Sequence, residues 1–291
     1  MKLLTLSPLL SVLLLSCSGK SQELPTNTKK LSLKEASAVA VSKASPYIWV
    51  AEDSGNKNRI YGLDADGKIA HTVTVTNAAN VDWEDLATDE EGNVYVGDFG
   101  NNDNLRKDLC IYKVNAGDLQ HETAVSPAKI SFYYPEQQQF PPKKSELFYD
   151  AESFFFYKGN FYIFTKNRSK GFDGTVMLYR VPNQSGNHKA QLLGTFKACD
   201  SYHKCAITSA DISPDGEKVV LLSASKVWLL SGFSGTDFLG GTTEMFELND
   251  VTQKEGVCFK DNETLLIVDE KSKKTGGNLY EIKLADLKSK S

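Results

Sequence analysis

Asp82-Trp83-Glu84-Asp85-Leu86-Ala87-Thr88 is followed by the turn residues Glu90-Glu91-Gly92-Asn93 and then by the apolar run Val94-Tyr95-Val96-Gly97. A short strand, a tight turn and a strand that is apolar at nearly every position describe a sheet element buried on both faces. The layout recurs. Its other starts are Glu35-Ala36-Ser37-Ala38-Val39, Glu152-Ser153-Phe154-Phe155-Phe156, Ala210-Asp211-Ile212-Ser213 and Glu255-Gly256-Val257-Cys258-Phe259. Each is followed by a turn signal such as Lys158-Gly159-Asn160 or Pro214-Asp215-Gly216-Glu217, and then by an apolar run: 47–51, 161–165, 219–222 or 265–268. The starts are 49, 68, 58 and 45 residues apart, the longest interval containing the loop 137–145 with Pro141-Pro142.

A third strand of recurring form follows in every unit: Ile60-Tyr61-Gly62-Leu63, Ile111-Tyr112-Lys113-Val114, Leu178-Tyr179-Arg180-Val181, Val227-Trp228-Leu229-Leu230 and Leu279-Tyr280-Glu281-Ile282. Outer strands are expected at 71–75, 128–133, 191–196 and 243–248. The fifth unit lacks one, and Lys30-Leu31-Ser32-Leu33 is free to supply it, so that the two ends of the chain pair and close a ring. Sheets repeated radially in this way make an all-β fold, a β-propeller of four-stranded antiparallel blades. Five blades are expected, with six as the alternative and two stacked sandwiches as the other architecture weighed.

In a propeller the innermost strands line the axial channel, so their equivalent first residues form a circle. By the spacing above, that circle holds Glu35, Glu84, Glu152 and Glu255, with Ala210 breaking the set. Converging carboxylates repel unless they are protonated or bridged by a cation. Ca²⁺, which takes six to eight oxygen ligands, is the cation that suits such a ring, with Asp98 as a further ligand. The alternative is that these glutamates accept backbone N–H groups and staple neighbouring blades. A second circle follows the second strands: Asp53, Asn101, Asn102, Lys166, Asn167, Arg168 and Glu270, with Asp211 beside the first circle. Antiparallel pairing returns these residues to the same end of the channel. Acids, amides and two cations there make a candidate ligand site, of a kind that takes a phosphate or sugar acid together with a metal.

Asp82-Trp83-Glu84-Asp85-Leu86-Ala87, Val96-Gly97-Asp98-Phe99-Gly100-Asn101-Asn102, Tyr149-Asp150-Ala151-Glu152-Ser153 and Thr208-Ser209-Ala210-Asp211-Ile212-Ser213-Pro214-Asp215-Gly216 resemble a widespread family of bacterial secreted and lipoprotein β-propellers of unassigned activity. The resemblance covers nearly all of the chain after its leader. More distantly the pattern is similar to gluconolactonases, strictosidine synthase-like proteins and β-propeller phytases, which implies work at a Ca²⁺ in the channel mouth. No catalytic residue of those enzymes matches here residue by residue, so their chemistry is analogy.

The chain begins with Lys2 and an apolar run from Leu3 to Leu15, too short to span a bilayer. Leu14-Leu15-Ser16-Cys17 resembles a bacterial lipobox, which implies cleavage after residue 16 and lipidation of Cys17. The expected organisation is a signal peptide over 1–16, a lipid-anchored tether over 17–29 and one propeller domain over 30–291. Ser18 rather than Asp after the cysteine is the pattern of an outer-membrane lipoprotein, expected to face the periplasm. In that oxidising compartment Cys199 and Cys205 are expected to pair, while Cys110 and Cys258 sit in apolar runs as buried thiols.

The 291 residues carry 33 basic and 37 acidic side chains, a formal charge of −4 that gives no basic excess for nucleic acid. Nucleotide-binding glycine patterns, a Gly-x-Ser-x-Gly elbow and paired histidine ligands are absent. Three functions stay open, and whether the protein is an enzyme is undecided. They are a lipid-anchored binding propeller for a small anionic ligand or an envelope protein, a metal-dependent hydrolase of a phosphoester or lactone, and a structural subunit of an envelope complex.

Overall fold

The computed structural model describes residues 27–248 and 250–287. Cys17, the signal peptide and residues 17–26 of the expected tether lie outside the described residues. Within them the chain forms five sheets in sequence order. Blade 1 comprises Ala36–Val41, Ile48–Glu52, Arg59–Leu63 and Ile69–Val75. Blade 2 comprises Trp83–Thr88, Val94–Asp98, Cys110–Val114 and Lys129–Tyr133. Blade 3 comprises Asp150–Tyr157, Asn160–Lys166, Thr175–Pro182 and Gln191–Lys197. Blade 4 comprises Ile207–Ile212, Lys218–Ser223, Lys226–Ser231 and Thr242–Glu247. Blade 5 comprises Lys254–Asp261, Thr264–Asp269 and Asn278–Lys283, and its fourth strand is Asn27–Lys30 from the other end of the chain. The protein is a five-bladed β-propeller. The closing strand falls three residues earlier than Lys30–Leu33 and so takes in Asn27–Lys29 of the expected tether.

Why the second strands are apolar throughout is visible in the core. The buried residues divide into five clusters, one at each blade interface. Successive side chains of a strand point to opposite faces. In blade 2, Val94 and Val96 accordingly pack toward blade 1 and Tyr95 toward blade 3. In blade 4, Val219 and Leu221 pack toward blade 3 and Val220 and Leu222 toward blade 5. Leu31 and Leu33, just past the closing strand, enter the cluster between blades 5 and 1. Two short strands absent from the sequence expectation add a parallel fifth member to a blade: Thr123–Ala124 beside Ile69–Val75, and Gly186–Lys189 beside Lys129–Tyr133. Cys199 and Cys205 form a disulfide, and Cys110 and Cys258 are free and buried.

Every innermost strand carries a register shift near its start, at Ser37, Glu84, Glu152, Thr208 and Glu255. A bulge of this kind places two successive residues against one partner and re-aims the side chain. The next residues, Ala38, Asp85, Ser153, Ser209 and Gly256, ring the middle of the axis and are buried. Here the space is filled to the atom: a Cβ on Gly256 would stand 2.7 Å from Val268 Cγ2 and 2.9 Å from the Ala38 carbonyl carbon. Gly256→Ala should therefore cost about 1–3 kcal/mol through overpacking between blades 5 and 1, measured by urea unfolding. A stability equal to the wild type would show that the ring can relax there.

Candidate ligand site at the channel mouth

The bulges correct the equivalence read from spacing. The structurally equivalent set is Ser37, Glu84, Glu152, Thr208 and Glu255, so the channel carries three glutamates, from blades 2, 3 and 5. Glu35 lies two residues upstream of its bulge, in the frame of Asp82 and Asp150, and is exposed at the rim. Ala210 and Asp211 lie two and three residues past the bulge of blade 4, and Asp211 faces the opposite end of the axis. Matching Glu with Glu misses this, because bulges leave no mark in composition.

Lys166, at the end of the second strand of blade 3, sends its ammonium into the glutamate ring. It pairs directly with Glu152 and stands 4.0 Å from Glu255. Burial works against its charge, but Glu152 and Glu255 outweigh it and raise its pKa. Arg168 contacts the other oxygen of Glu152, donates to Asp150 Oδ2 at 2.6 Å, and donates to the Tyr202 hydroxyl at 2.7 Å. Among the described residues no cation contacts Glu84: burial first, then Glu152, Asp82 and Asp150, push its carboxyl well above the usual range, with Lys166 opposing. A Cβ on Gly100 would run into the carboxylates of Glu84 and Asp82, which explains a glycine there without any left-handed backbone.

The Gly97–Asn102 motif turns out to hold the loop. Asp98, expected as a metal ligand, is buried inside blade 2, where it accepts the Asp82 N–H at 3.0 Å and pairs with Arg106 at 3.0 Å. Asn101 ties blade 2 to blade 3: its N–H donates to Asp150 Oδ1 at 2.7 Å and its side-chain amide to the Tyr149 carbonyl. Asn167 is likewise engaged, accepting the Ser169 N–H at 2.8 Å and donating to Asp173. Asn102 is exposed on the loop. Asp82, Asp150, Arg106 and Tyr202 belong to the mouth and escaped sequence reasoning. The sequence does show Asp82 and Asp150 each two residues before a glutamate, a spacing that only the bulges turn into equivalence.

On the blade 1 and blade 5 side, Asp53 and Glu270 have amide partners instead of cations. Asn56 donates to Asp53 Oδ1 at 3.2 Å and to Glu35 Oε2 at 2.7 Å, and Gln253 donates to Glu270 Oε2 at 3.0 Å. Burial, then Glu35 and Asp82, raise Asp53 to about 6. Burial, then Asp53 and Glu35, raise Glu270 to about 7. Both values exceed the unfolded ones, roughly 3.9 for Asp and 4.3 for Glu. Their contribution to stability is therefore complete below the unfolded pKa and is lost as pH rises through 6 and 7. The melting temperature at constant ionic strength should rise on going from pH 8 to pH 5, and Asp53→Asn with Glu270→Gln should flatten that rise. A flat or inverted wild-type profile would contradict it.

Among the described residues, no three or more His, Cys, Asp or Glu side chains come together in a metal-holding group. No protein-family model and no curated protein matches the chain. Among solved structures it is similar to the hydrazine synthase of Kuenenia stuttgartiensis, with 11% identity and a TM-score of 0.41 over 80% of this chain. The chain spans 64% of that relative, less than two thirds of its length. It is also similar to a gluconolactonase of Xanthomonas campestris, with 12% identity and a TM-score of 0.45 over 86% of this chain and 71% of that one. Likeness at this level transfers no activity.

Proposed function

We propose that the protein is a lipid-anchored propeller of the bacterial outer membrane, facing the periplasm, that binds at its channel mouth a cationic ligand, in place of the small anionic one expected from the sequence. The anchor rests on the lipobox-like Leu14–Cys17 and the short apolar leader. One observation carries the binding reading. Of the carboxylates at the mouth, Asp98, Asp150 and Glu152 take the cations Arg106, Arg168 and Lys166, while Glu35, Asp53 and Glu270 pair only with amides. The charge left over is negative, on half-buried Asp53 and Glu270 and exposed Glu35 on the blade 1 and blade 5 side.

The same geometry weighs the Ca²⁺ expectation. Lys166 pairs with Glu152 and stands 4.0 Å from Glu255, which brings to two members of the Glu84, Glu152 and Glu255 ring the positive charge a metal ion would bring. Glu35, Asp53 and Glu270 offer hard carboxylate oxygens to a cation, Ca²⁺ or an organic ammonium, without standing together as a preformed metal group. The test is thermal unfolding at pH 8 with CaCl₂ or with butylammonium chloride, against NaCl of equal ionic strength. A ligand at 100 times its dissociation constant stabilises by about 2.7 kcal/mol. One of the two should raise the melting temperature, and Asp53→Asn with Glu270→Gln should abolish the rise. No response to either cation would remove the reading. Hydrolysis would demand more: turnover of a phosphoester or lactone, lost in Glu84→Gln while the fold is kept.

A further inference from the structure

At the opposite end of the axis the innermost strands run out around a cavity of about 570 Å³. That volume lies within the roughly 300–1,000 Å³ typical of small-molecule sites. All five blades contribute to its wall, through Ala40, Ala87, Phe156, Asp211 and Phe259. The buried belt of Ala38, Asp85, Ser153 and Ser209 separates it from the mouth, so the two ends of the channel are distinct compartments.

The wall is about half apolar and half polar, and Asp211 is set into it from blade 4. Asp211 Oδ2 accepts the Phe259 N–H at 2.8 Å, and no ion pair reaches Asp211 among the described residues. Of the other ionisable groups lining the cavity, Cys258 is a free buried thiol whose pKa burial and then Asp211 raise, Tyr157 packs its ring against Phe238, and the rest are committed or lie at the rim. Asp89 takes Asn93 and the Tyr95 hydroxyl, Asp215 takes the Ser213 hydroxyl and the Glu217 N–H, and Lys260 pairs with Glu281. Lys43 and Glu90 are exposed.

We propose that this cavity is a second binding site, for a small primary amine with an apolar body, whose ammonium pairs with Asp211 while its body lies against Ala40, Ala87, Phe156 and Phe259. An anion would meet the Asp211 charge. A divalent metal would need several carboxylate oxygens together: both oxygens of Asp89 are taken, and among the described residues no three acids, histidines or cysteines form a metal-holding group. A wholly apolar ligand would bury the carboxyl without a partner, which is costly. Burial already pushes Asp211 up to about 7, with the Phe259 N–H opposing. An amine therefore binds with proton release from Asp211, and its affinity increases as pH rises through 7.

Benzylamine and benzyl alcohol are the probes, titrated calorimetrically into the full-length protein at pH 8 and pH 5.5. Benzylamine should bind at pH 8, about tenfold or more weakly at pH 5.5, and benzyl alcohol about tenfold more weakly than the amine at pH 8. Asp211→Asn keeps an oxygen for the Phe259 N–H and should lose about tenfold of the amine affinity, its fold checked by circular dichroism. In Asp53→Asn with Glu270→Gln, which removes amine binding at the mouth, one benzylamine site with the same pH dependence should remain, which separates the two sites. Equal binding of amine and alcohol, no binding of the amine, or no amine site left in the mouth variant would each overturn the proposal. Should Asp211→Asn fail to fold, the pH comparison and the mouth variant still decide it.

Discussion

Replacing Asp85 by alanine is expected to lower the unfolding free energy by about 3–5 kcal/mol, because it strands several buried donors at once. Asp85 is 0% exposed in the middle of the axis. Its oxygens accept the Leu86 N–H at 3.0 Å within blade 2, the Phe154 N–H at 3.1 Å from blade 3, and the Ser209 hydroxyl at 3.2 Å from blade 4. Ser209 in turn accepts the Val257 N–H of blade 5 at 2.9 Å. One carboxyl therefore fastens four of the five blades across the ring. Burial pushes its pKa well above the usual range, and the N–H groups of Phe154 and Leu86 oppose that. Asp85→Asn keeps one acceptor oxygen and should cost less, about 1–2 kcal/mol. Urea unfolding of both variants decides the matter. A loss below about 1 kcal/mol for the alanine variant would mean that water or a shifted blade replaces the staple.

Lys166→Met should be nearly as damaging, about 3–5 kcal/mol at pH 8, the range for breaking a buried ion pair by removing one partner. Both members are buried, and the variant leaves Glu84, Glu152 and Glu255 facing one another with only Arg168 nearby. Losing the ammonium raises the folded-state pKa of these glutamates further above the unfolded value near 4.3. A carboxyl raised in the folded state stabilises below its unfolded pKa and ceases to as pH climbs through the folded one. The deficit of the variant should accordingly shrink toward pH 5 and grow toward pH 8. A deficit independent of pH would show that packing of the lysine stem, not its charge, is what the mouth requires.

Much of the blade architecture is legible in the chain. Runs such as Val94-Tyr95-Val96 and Val219-Val220-Leu221-Leu222 are apolar at every position, which an exposed sheet cannot sustain and a sheet between two others demands. The unpaired fifth unit called for a strand from the other terminus, and Asn27–Lys30 supplies it. The recurring turns and the third-strand pattern gave five units, and the structure has five.

The candidate site was legible only in outline. Glu84, Glu152, Glu255, Lys166 and Arg168 do converge, as their positions at strand starts and ends imply. Asp98 and Asn101 carry the same residue types as a ligand site, yet Arg106, Asp150 and backbone groups use them to hold a loop. The shared sequence motif around Gly97–Asn102 is thus explained by packing: Gly97 leaves room for the Phe99 ring and Gly100 for two carboxylates.

By itself the sequence determined the periodicities: alternate side chains of a strand face opposite ways, and five such repeats must bury both faces by stacking in a ring. Only the tertiary structure decided the depth of each polar group on the axis. A one-residue bulge changes which residues of its strand are equivalent without changing composition: Glu35, before its bulge, stays at the rim, and Asp211, three residues past its own, reaches the far cavity. Which carboxylate meets Lys166 depends on distances between blades, Glu255 lying 89 residues from it along the chain, and electrostatic energy falls with distance in space and not along the chain.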